Sequence, residues 1–283
     1  MNTQINSNQN MNTQINSNQN MNPHSLNTIT FNDHHIHGCI TLRTLDAPEQ
    51  GNIALHVCQN PEDVMQNRYA LEKETLPLDR WCLAHQRHTG HVVRVSSFDV
   101  KKGAYRAATA IDQTDGLYTT DPNVLIGVFT ADCLGILFYD EQHSVIGAVH
   151  SGWKGTVQAI VANFLRALQQ DGLLYPESLH VYFSPSLMPS SLEVGPEVVS
   201  QMEDMAKKEG ISLEGCILSG QGDRSYLDHQ KINAQFFKKF GIPEENIQFS
   251  SLDTKTNPQC YSYRRDGKDC GEHFSCIWMD EKK

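Results

Sequence analysis

The chain has 283 residues, of which 39% are apolar and 20% are charged, a composition typical of a globular protein with a sizeable core. Asp and Glu outnumber Lys and Arg by 33 to 23, so the formal charge is −10, and neither a nucleic-acid backbone nor an anionic membrane is expected as the main partner. No apolar run reaches the roughly 20 residues of a membrane helix, and no secretory signal is visible, so a cytoplasmic protein is predicted.

The first twenty residues are the decapeptide MNTQINSNQN written twice. Each copy has four Asn, two Gln and no charged residue, so it cannot bury enough apolar surface to offset the entropy lost on ordering. We therefore predict a disordered tail over residues 1–27. No Pro/Gly/Ser-rich linker or charge block divides the rest, which predicts one folded domain over residues 28–283.

Strand and helix patterns alternate through this domain. Apolar runs predict strands at residues 81–95 (broken near Gly90), 124–129, 134–139 and 144–149. Helical spacing predicts helices at residues 61–76, 157–171 (with Thr156 as the N-cap), 198–209 and 230–240. The turn at residues 140–143 would join the last two strands in a hairpin, and the whole alternation predicts a mixed α+β layered domain.

The eight cysteines include no Cys-x-x-Cys pair, which argues against a zinc ribbon or a thioredoxin-like motif. Four disulfides would suit an oxidising compartment, but the chain is large enough to bury its own core and shows no export signal. We therefore expect free thiols, most of them small residues of the core.

Cys133 and His150 are the first candidates for chemistry. Cys133 precedes one predicted strand and His150 closes the next, and their separation of 17 residues (150 − 133) is the length of a strand, a turn and a strand back. A hairpin can therefore bring the thiol and the imidazole together. Such a pair serves either a zinc site or a Cys–His nucleophile, and the alternative is a core cysteine and a strand-end histidine that never meet.

A histidine from further upstream could complete a metal site. His85, His88 and His91 follow one another at spacing three, so that in a strand His88 faces away from the other two. Spacing alone does not select one of them. The run from Asp33 to His37 also looks like a metal cluster, but no matching downstream motif accompanies it, and a solvated strand is predicted there.

Two segments carry groups that suit phosphate. Residues 151–156 form a strand, glycine turn and helix junction, where free N–H groups and Lys154 would attract an anion. Arg264 and Arg265 lie beside aromatic residues near the C-terminus, and guanidinium groups match phosphate well. The alternatives are a tight turn with no ligand and a pair of surface or ion-paired arginines.

Taken together, these segments resemble a widespread bacterial family once labelled multicopper polyphenol oxidase or laccase-like and now treated as purine nucleoside phosphorylase. The matching stretches occur in family order between about Asn52 and Trp278: residues 63–68, 86–92, 115–119, 130–133, 148–156, 192–195 and 261–265. The Ala-Asp-Cys and His-Ser-Gly-Trp-Lys-Gly blocks are specific in combination. The resemblance implies a single-domain α+β sandwich of mixed β-sheets flanked by helices.

The resemblance also implies the site. Its metal ligands fall on His88, Cys133 and His150, with His88 selected because it occupies the histidine of the family's Gln-x-His motif. The implied metal is zinc, with copper as the alternative, and two His and one Cys leave the fourth position open, as in catalytic zinc sites. Phosphate would be held by Arg68, from the family's Asn-Arg motif, and by the turn with Lys154, Gly155 and Thr156.

The implied activity is phosphorolysis of adenosine, inosine, guanosine or methylthioadenosine to free base and pentose 1-phosphate, together with adenosine deamination at the same site. The partners would be a small nucleoside and inorganic phosphate, and the oligomeric state is left open. A second hypothesis is a metal-free hydrolase in which Cys133 attacks and His150 acts as base, for which His88 is not needed. A copper polyphenol oxidase is the third, although His35-Ile-His37 is the one His-x-His motif in the chain.

Three positions depart from the family pattern. Gly135 stands where the family usually has proline, and Ser184 replaces the glycine of a Gly-Pro pair. Glu272 replaces the arginine of a C-terminal Gly-Arg pair. The three metal-ligand positions are unaffected.

Overall fold

The computed structural model describes residues 14–16 and 25–282. Sheet A contains β1 (Gln14–Asn16), β2 (Thr28–Asp33), β3 (Ile36–Thr41), β4 (Trp81–Leu83), β7 (Leu125–Thr130) and β15 (His273–Met279), in the spatial order β1-β2-β3-β15-β7-β4. Sheet B contains β5 (Val92–Arg94), β6 (Gly116–Thr119), β8 (Leu134–Asp140), β9 (Val145–Ser151), β10 (His180–Phe183) and β14 (Ile247–Gln248), in the order β14-β10-β8-β9-β6-β5.

A small third sheet has the order β11-β13-β12, from β11 (Glu193–Val194), β12 (Ile217–Ser219) and β13 (Ser225–Leu227). The α-helices are α1 (Pro61–Leu71), α2 (Trp153–Val157), α3 (Ile160–Gln170), α4 (Pro196–Glu209), α5 (His229–Lys239) and α6 (Tyr263–Asp266). Both large sheets are mixed, because β4 pairs with β7, β5 with β6 and β10 with β14 in parallel while the other pairs are antiparallel. No helix within the described residues combines the length and the apolar character needed to cross a membrane.

The buried apolar residues form three clusters that separate four layers. One cluster lies between sheets A and B, with Phe31 contributed by sheet A and Tyr139 by sheet B. A second lies between sheet A and α1, and a third lies between sheet B and helices α3, α4 and α5. The predicted α+β layered sandwich with flanking helices is confirmed.

Helix α3 is held by packing. Phe164, Leu165 and Leu168 are fully buried, and each side chain of this size contributes about 1.5–3 kcal/mol, more than helix propensity supplies over so short a segment. The Phe164 ring occupies the space above Gly147 of β9, where a β-carbon would lie 2.2 Å from the ring. This contact fixes the helix directly behind the strand that carries His150.

The predicted hairpin is present as β8 and β9. Gly135 pairs with His150 and Leu134 with Ser151, which places Cys133 and His150 at the same end of the hairpin. The seven-residue strands are buried along their whole length, as expected for strands covered on both faces.

The helix after the glycine turn begins earlier than predicted. Gly152 is the N-cap of α2, Thr156 lies inside that helix, and Ala159 in the left-handed region (φ 56°) separates α2 from α3. The Thr156 hydroxyl donates to the carbonyl oxygen of Gly152, four residues back, which is the bond a threonine makes within a helix rather than at its N-cap.

The prediction of a disordered tail over residues 1–27 falls mostly outside the described residues. Within that range, Gln14–Asn16 form β1 and pair with β2, so at these three residues the structure shows a strand where the composition predicted disorder. All eight cysteines carry free thiols, and six of them are buried.

Candidate metal centre

Three side chains from different parts of the chain converge at the end of the β8–β9 hairpin. His88 comes from the loop between β4 and β5, Cys133 from the loop before β8, and His150 from β9. Their potential ligand atoms all lie within 4.8 Å of one another, and Cys133 Sγ is 3.9 Å from His88 Nε2. The two imidazole rings are nearly perpendicular, with centroids 4.7 Å apart.

Asp115 connects the two histidines. It is fully buried, and its carboxylate accepts the amide N–H groups of Arg87 (3.1 Å), His88 (3.0 Å) and Thr89 (2.8 Å) together with the Thr89 hydroxyl (2.7 Å). The same carboxylate lies 2.8 Å from His150 Nδ1. Asp115 therefore holds the loop of one histidine and the ring of the other.

The contact with Asp115 fixes which nitrogen of His150 is available. When Nδ1–H donates to the carboxylate, Nε2 is left with its lone pair facing Cys133 and His88. A carboxylate on the far nitrogen is the usual environment of a metal-bound histidine, because it orients the ring and raises its basicity.

The charges in the centre favour a thiolate. Burial would raise the pKa of Cys133, but the contacts with His150 and His88 outweigh burial and lower it. For His150, burial would lower the pKa, and Asp115 and Cys133 outweigh it and raise it. Both shifts favour the thiolate form of Cys133 and the protonated form of His150, and a thiolate suits both metal binding and nucleophilic chemistry.

The donor set fits a zinc ion. Zinc in proteins is tetrahedral, with bonds of about 2.3 Å to sulfur and about 2.0–2.1 Å to nitrogen, which places a ligand sulfur and a ligand nitrogen about 3.6 Å apart. The Sγ–Nε2 distance of 3.9 Å is close to that value. Three protein ligands leave a fourth position for a substrate or water.

Gly152 borders the centre, and a side chain would not fit at this position. A β-carbon at this residue would lie 2.8 Å from Cys133 Sγ and 2.9 Å from His88 Cδ2. The backbone of Gly152 (φ −81°, ψ 173°) is open to any residue, so the requirement for glycine is one of space.

The neighbouring backbone is strained at two residues. His88 (φ 57°) and Asp132 (φ 84°) both lie in the left-handed region, which costs a non-glycine residue energy. Asp132 is held by its carboxylate, which accepts the Thr254 hydroxyl (2.7 Å) and the Arg264 amide (2.5 Å). Asp132 therefore ties the loop before β8 to the segments that carry Thr254 and Arg264.

His85 and His91 lie apart from the centre. His85 Nδ1 is 3.4 Å from Asp112 Oδ1, and His91 Nδ1 is 3.2 Å from the carbonyl oxygen of Gln113. The histidines of the run 33–37 do not converge either: His35 lies beside Glu141 and His37 beside Asp280. A solvated strand was predicted for that run; the structure has the turn between β2 and β3 there, with His34 exposed and His35 and His37 partly buried.

Arg68 is placed differently from its predicted role as a phosphate ligand. Its side chain is 1% exposed, and its guanidinium donates to the carbonyl oxygens of Ile53 (2.8 Å), Gly103 (2.7 Å) and Ala104 (2.6 Å). These three hydrogen bonds join the loops that carry Ile53, Gly103 and Ala104 to α1. These bonds give Arg68 a structural role.

The glycine turn also differs from its predicted role. The Thr156 hydroxyl is fully buried and contacts three protein groups, so it is not available to phosphate. Gly155 is buried, and α2 has only five residues, which weakens the case for an anion site at its N-terminus. Lys154 is exposed, with Nζ 5.7 Å from the centre of the Trp153 ring, and remains free to meet an anion.

Two of the departures from the family pattern compensate each other. The Gly135 amide donates to Ser184 Oγ (2.8 Å), a bond that a proline at position 135 cannot make. A β-carbon at Gly135 would lie 2.9 Å from that hydroxyl oxygen. Serine at 184 therefore requires an N–H and free space at 135, and glycine supplies both. The third departure, Glu272, lies 2.9 Å from His56 Nε2 and makes an ion pair when that histidine is protonated.

Comparisons with known proteins agree with this architecture. The sequence model of a family described as multi-copper polyphenol oxidoreductase laccase matches residues 43–280. Purine nucleoside phosphorylase YlmD of Bacillus subtilis (strain 168) is 31% identical over 235 residues, which cover 82% of this chain and 83% of that protein. A protein of the same name from Geobacillus stearothermophilus is 29% identical over 233 residues, covering 82% and 84%.

Solved structures show the same fold. The crystal structure of Bacillus licheniformis hypothetical protein YfiH matches with a TM-score of 0.84 and 26% identity, covering 89% of this chain and 96% of that one. The crystal structure of YlmD from Geobacillus stearothermophilus matches with a TM-score of 0.81 and 26% identity, covering 88% and 93%.

The centre does not resemble that of a four-copper oxidase. In the part of the chain that the structure describes, His88, Cys133 and His150 are the one group of three such residues close enough to hold a metal ion. Four-copper oxygen reduction needs several metal sites built from many histidines. The geometry therefore gives no support to oxidase chemistry, whatever the family's older description.

Proposed function

The chain belongs to the multi-copper polyphenol oxidoreductase laccase family, and on that premise we propose that it is a zinc-dependent purine nucleoside phosphorylase that also deaminates adenosine. Its substrates would be a purine nucleoside and inorganic phosphate, and its products a free base and a pentose 1-phosphate. The relatives named purine nucleoside phosphorylase support the reaction class. The observation that carries the proposal is the convergence of three ligand atoms within 4.8 Å.

His88 Nε2, Cys133 Sγ and His150 Nε2 would hold the zinc ion. When bound, zinc supplies a Lewis acid that polarises an oxygen atom at the open position. Asp115 would keep His150 in the tautomer that presents Nε2 and would fix the loop that carries His88. Gly152 would leave the space in which the thiolate and the His88 ring approach each other.

Phosphate would meet positive charge at the rim of the centre. Arg87 precedes His88, Lys154 lies two residues after Gly152, and both are exposed. Arg264 donates its amide to Asp132, which is next to Cys133. Among the described contacts, none of the three cations is paired with a carboxylate. In a chain with a net charge of −10, exposed cations without a carboxylate partner favour an anionic co-substrate.

A metal-free Cys–His hydrolase is the second candidate function. The observation that favours it is the lowered pKa of Cys133 beside His150, since a thiolate–imidazolium pair is also the resting state of cysteine hydrolases. In that mechanism His88 would have no role, although its Nε2 lies within 4 Å of the sulfur.

The two functions are separated by comparing His88→Ala with Cys133→Ala. We expect both variants to lose bound metal, phosphorolysis of inosine with phosphate, and deamination of adenosine together. The measurements are chromatography of the base, NMR of pentose 1-phosphate, and metal content. Under the hydrolase mechanism, His88→Ala would stay active without metal, chelators would have no effect, and Cys133 in metal-free protein would react rapidly with alkylating reagents. An active, metal-free His88→Ala protein would falsify the zinc-dependent proposal.

A further inference from the structure

We infer that Thr156 is a positioning residue of the metal centre and that helix α5 acts on the centre through it. The inference rests on the metal site proposed above, but it concerns residues other than the three ligands. Four buried side chains form a continuous hydrogen-bonded series from α5 to the glycine turn: Asn233, Ser151, Thr156 and His229. We call this series the polar chain.

Neighbouring groups in the polar chain all lie within hydrogen-bond distance of each other. Ser151 Oγ donates to Asn233 Oδ1 (3.1 Å) and lies 2.9 Å from Thr156 Oγ1. Thr156 Oγ1 lies 3.1 Å from the carbonyl oxygen of Gly152 and 2.7 Å from His229 Nε2. The Asn233 amide nitrogen donates to the carbonyl oxygen of His229 at 2.8 Å, which returns the series to α5.

The number of available protons decides which group donates in each contact. A hydroxyl has one proton to donate. The Ser151 proton goes to Asn233 Oδ1, and the Thr156 proton goes to the carbonyl oxygen of Gly152. His229 must therefore donate from Nε2–H, because Thr156 has no second proton to give. Both hydroxyl protons and the Nε2 proton of His229 then have an acceptor, and the Ser151 Oγ–Thr156 Oγ1 contact is the one without a proton of its own.

Thr156 connects the polar chain to Gly152, the residue that borders the metal ligands. Thr156 holds the carbonyl group of Gly152, and the Cα of Gly152 faces Cys133 and His88, where even a β-carbon would approach both within 3 Å. Ser151 joins Gly152 directly to His150. A shift of the Gly152 turn would therefore change the separation of all three ligands, and the polar chain is what connects this turn to α5.

This arrangement gives the Thr156 hydroxyl a different role from phosphate binding. A phosphate ligand must face the substrate with a free hydroxyl, whereas this hydroxyl is fully buried and contacts three protein groups. The two roles differ in what they affect: a phosphate ligand changes the phosphate dependence of turnover, and a positioning residue changes the affinity for metal.

The test is Thr156→Val, which removes the hydroxyl at nearly constant shape. Zn²⁺ and Co²⁺ alone are the probes, with affinity measured by chelator competition and ligand geometry by the visible absorption of the Co²⁺ protein. We expect metal affinity to fall about tenfold, the lower end of losses seen when groups supporting a ligand are removed. We also expect an altered Co²⁺ spectrum and recovery of both properties in Thr156→Ser.

The matched control is Thr28→Val in β2. Thr28 is also fully buried, and its hydroxyl oxygen has no hydrogen-bond partner, so we expect this variant to bind metal as the wild type does. If Thr156→Val does not fold, His229→Leu removes the donor that Thr156 needs, while His229→Gln retains one, and the same difference in affinity is expected between them.

Wild-type affinity and an unchanged Co²⁺ spectrum in Thr156→Val, or in His229→Leu where the first variant does not fold, would overturn the inference, even if the melting temperature fell. Because the readout is binding rather than turnover, it is separate from the test of the proposed activity. A protein that binds zinc but does not cleave nucleosides would refute the proposed function and leave the role of Thr156 standing.

Discussion

At the scale of single residues, the shape of the centre depends on Gly152, which has no β-carbon. Gly152→Ala places that atom 2.8 Å from Cys133 Sγ and 2.9 Å from the His88 ring, closer than unbonded atoms can approach. The ligands must then move apart. We expect the affinity for zinc to fall at least tenfold, about the effect of losing a group that orients a ligand. Chelator competition measures this directly.

Gly155→Ala is the control for this prediction. A β-carbon at Gly155 would come no nearer than 3.5 Å to its neighbours, which is ordinary contact, so zinc affinity should be unchanged. Equal losses in the two variants would show that the helix α2 tolerates no alanine anywhere, and the steric account of Gly152 would then be wrong.

Residue-scale prediction from the sequence worked best where a residue type has a narrow chemistry. Cys133 and His150 emerged from their hairpin spacing, and the family resemblance selected His88; the structure brings the three together. Asp115 was not assigned a role, because an aspartate before a glycine has many uses and nothing in its spacing shows that it accepts three consecutive amides. The contacts of Arg68 were not predictable, because a motif does not reveal whether a guanidinium faces a ligand or the protein's own carbonyls.

At the scale of secondary structure, β8 and β10 are joined by a bond that depends on two departures from the family pattern. Gly135→Pro would remove the N–H that Ser184 Oγ accepts and would press new atoms against that hydroxyl. We expect a loss of about 2–4 kcal/mol in the free energy of unfolding, from one hydrogen bond and local overpacking. Urea denaturation measures it.

The double variant tests whether the two departures are coupled. Ser184→Gly alone leaves the Gly135 amide without its acceptor and should cost about 1–3 kcal/mol. Adding it to Gly135→Pro should instead recover stability, with a coupling energy of at least about 1 kcal/mol in the double-mutant cycle. Simple additivity of the two losses would contradict the compensation.

Predicted elements matched the structure where burial and spacing agree. The strands of the hairpin and the helices α4 and α5 lie within a few residues of their predicted bounds, since long apolar patterns are unambiguous. The junction before α3 was less predictable. Thr156 is a good N-cap by type, but its hydroxyl bonds back to Gly152, and this choice depends on His229, which is distant in sequence.

At the scale of the whole molecule, buried neutral histidines make stability depend on pH. His273 is fully buried, donates from Nδ1 to the oxygen of Thr41 (2.8 Å) and accepts the Tyr261 amide at Nε2 (3.0 Å). Burial lowers its pKa to about 4 from the usual 6.5. A proton on Nε2 would break the bond from Tyr261, so the folded protein resists protonation.

The lowered pKa of His273 makes the folded protein less stable at acid pH. Below about pH 6.5 the unfolded chain binds a proton that the folded protein does not, so stability is fully present above pH 6.5 and falls as the pH drops towards 4. One such histidine contributes up to about 1.4 kcal/mol per pH unit. Urea denaturation between pH 7 and pH 5 should show a smaller slope for His273→Gln than for the wild type. Identical slopes would show that His273 is not the group responsible.

The repeated N-terminal segment should contribute little to the stability of the whole molecule. In its described residues, Gln14–Asn16, the segment pairs with the domain through β1 on the edge of sheet A. A protein beginning at Met21 should therefore keep its melting temperature within a few degrees and retain its metal affinity. A larger loss, measured by calorimetry, would mean that β1 contributes more than an edge strand of three residues can.

The central claim is that His88, Cys133 and His150 hold one zinc ion that the reaction needs. Elemental analysis of protein purified without added metal, followed by inosine phosphorolysis before and after chelation, tests it most directly. We predict close to one zinc per chain, activity that disappears on chelation, and activity that returns with zinc alone. Copper in place of zinc, or phosphorolysis that persists in metal-free protein, would contradict the claim.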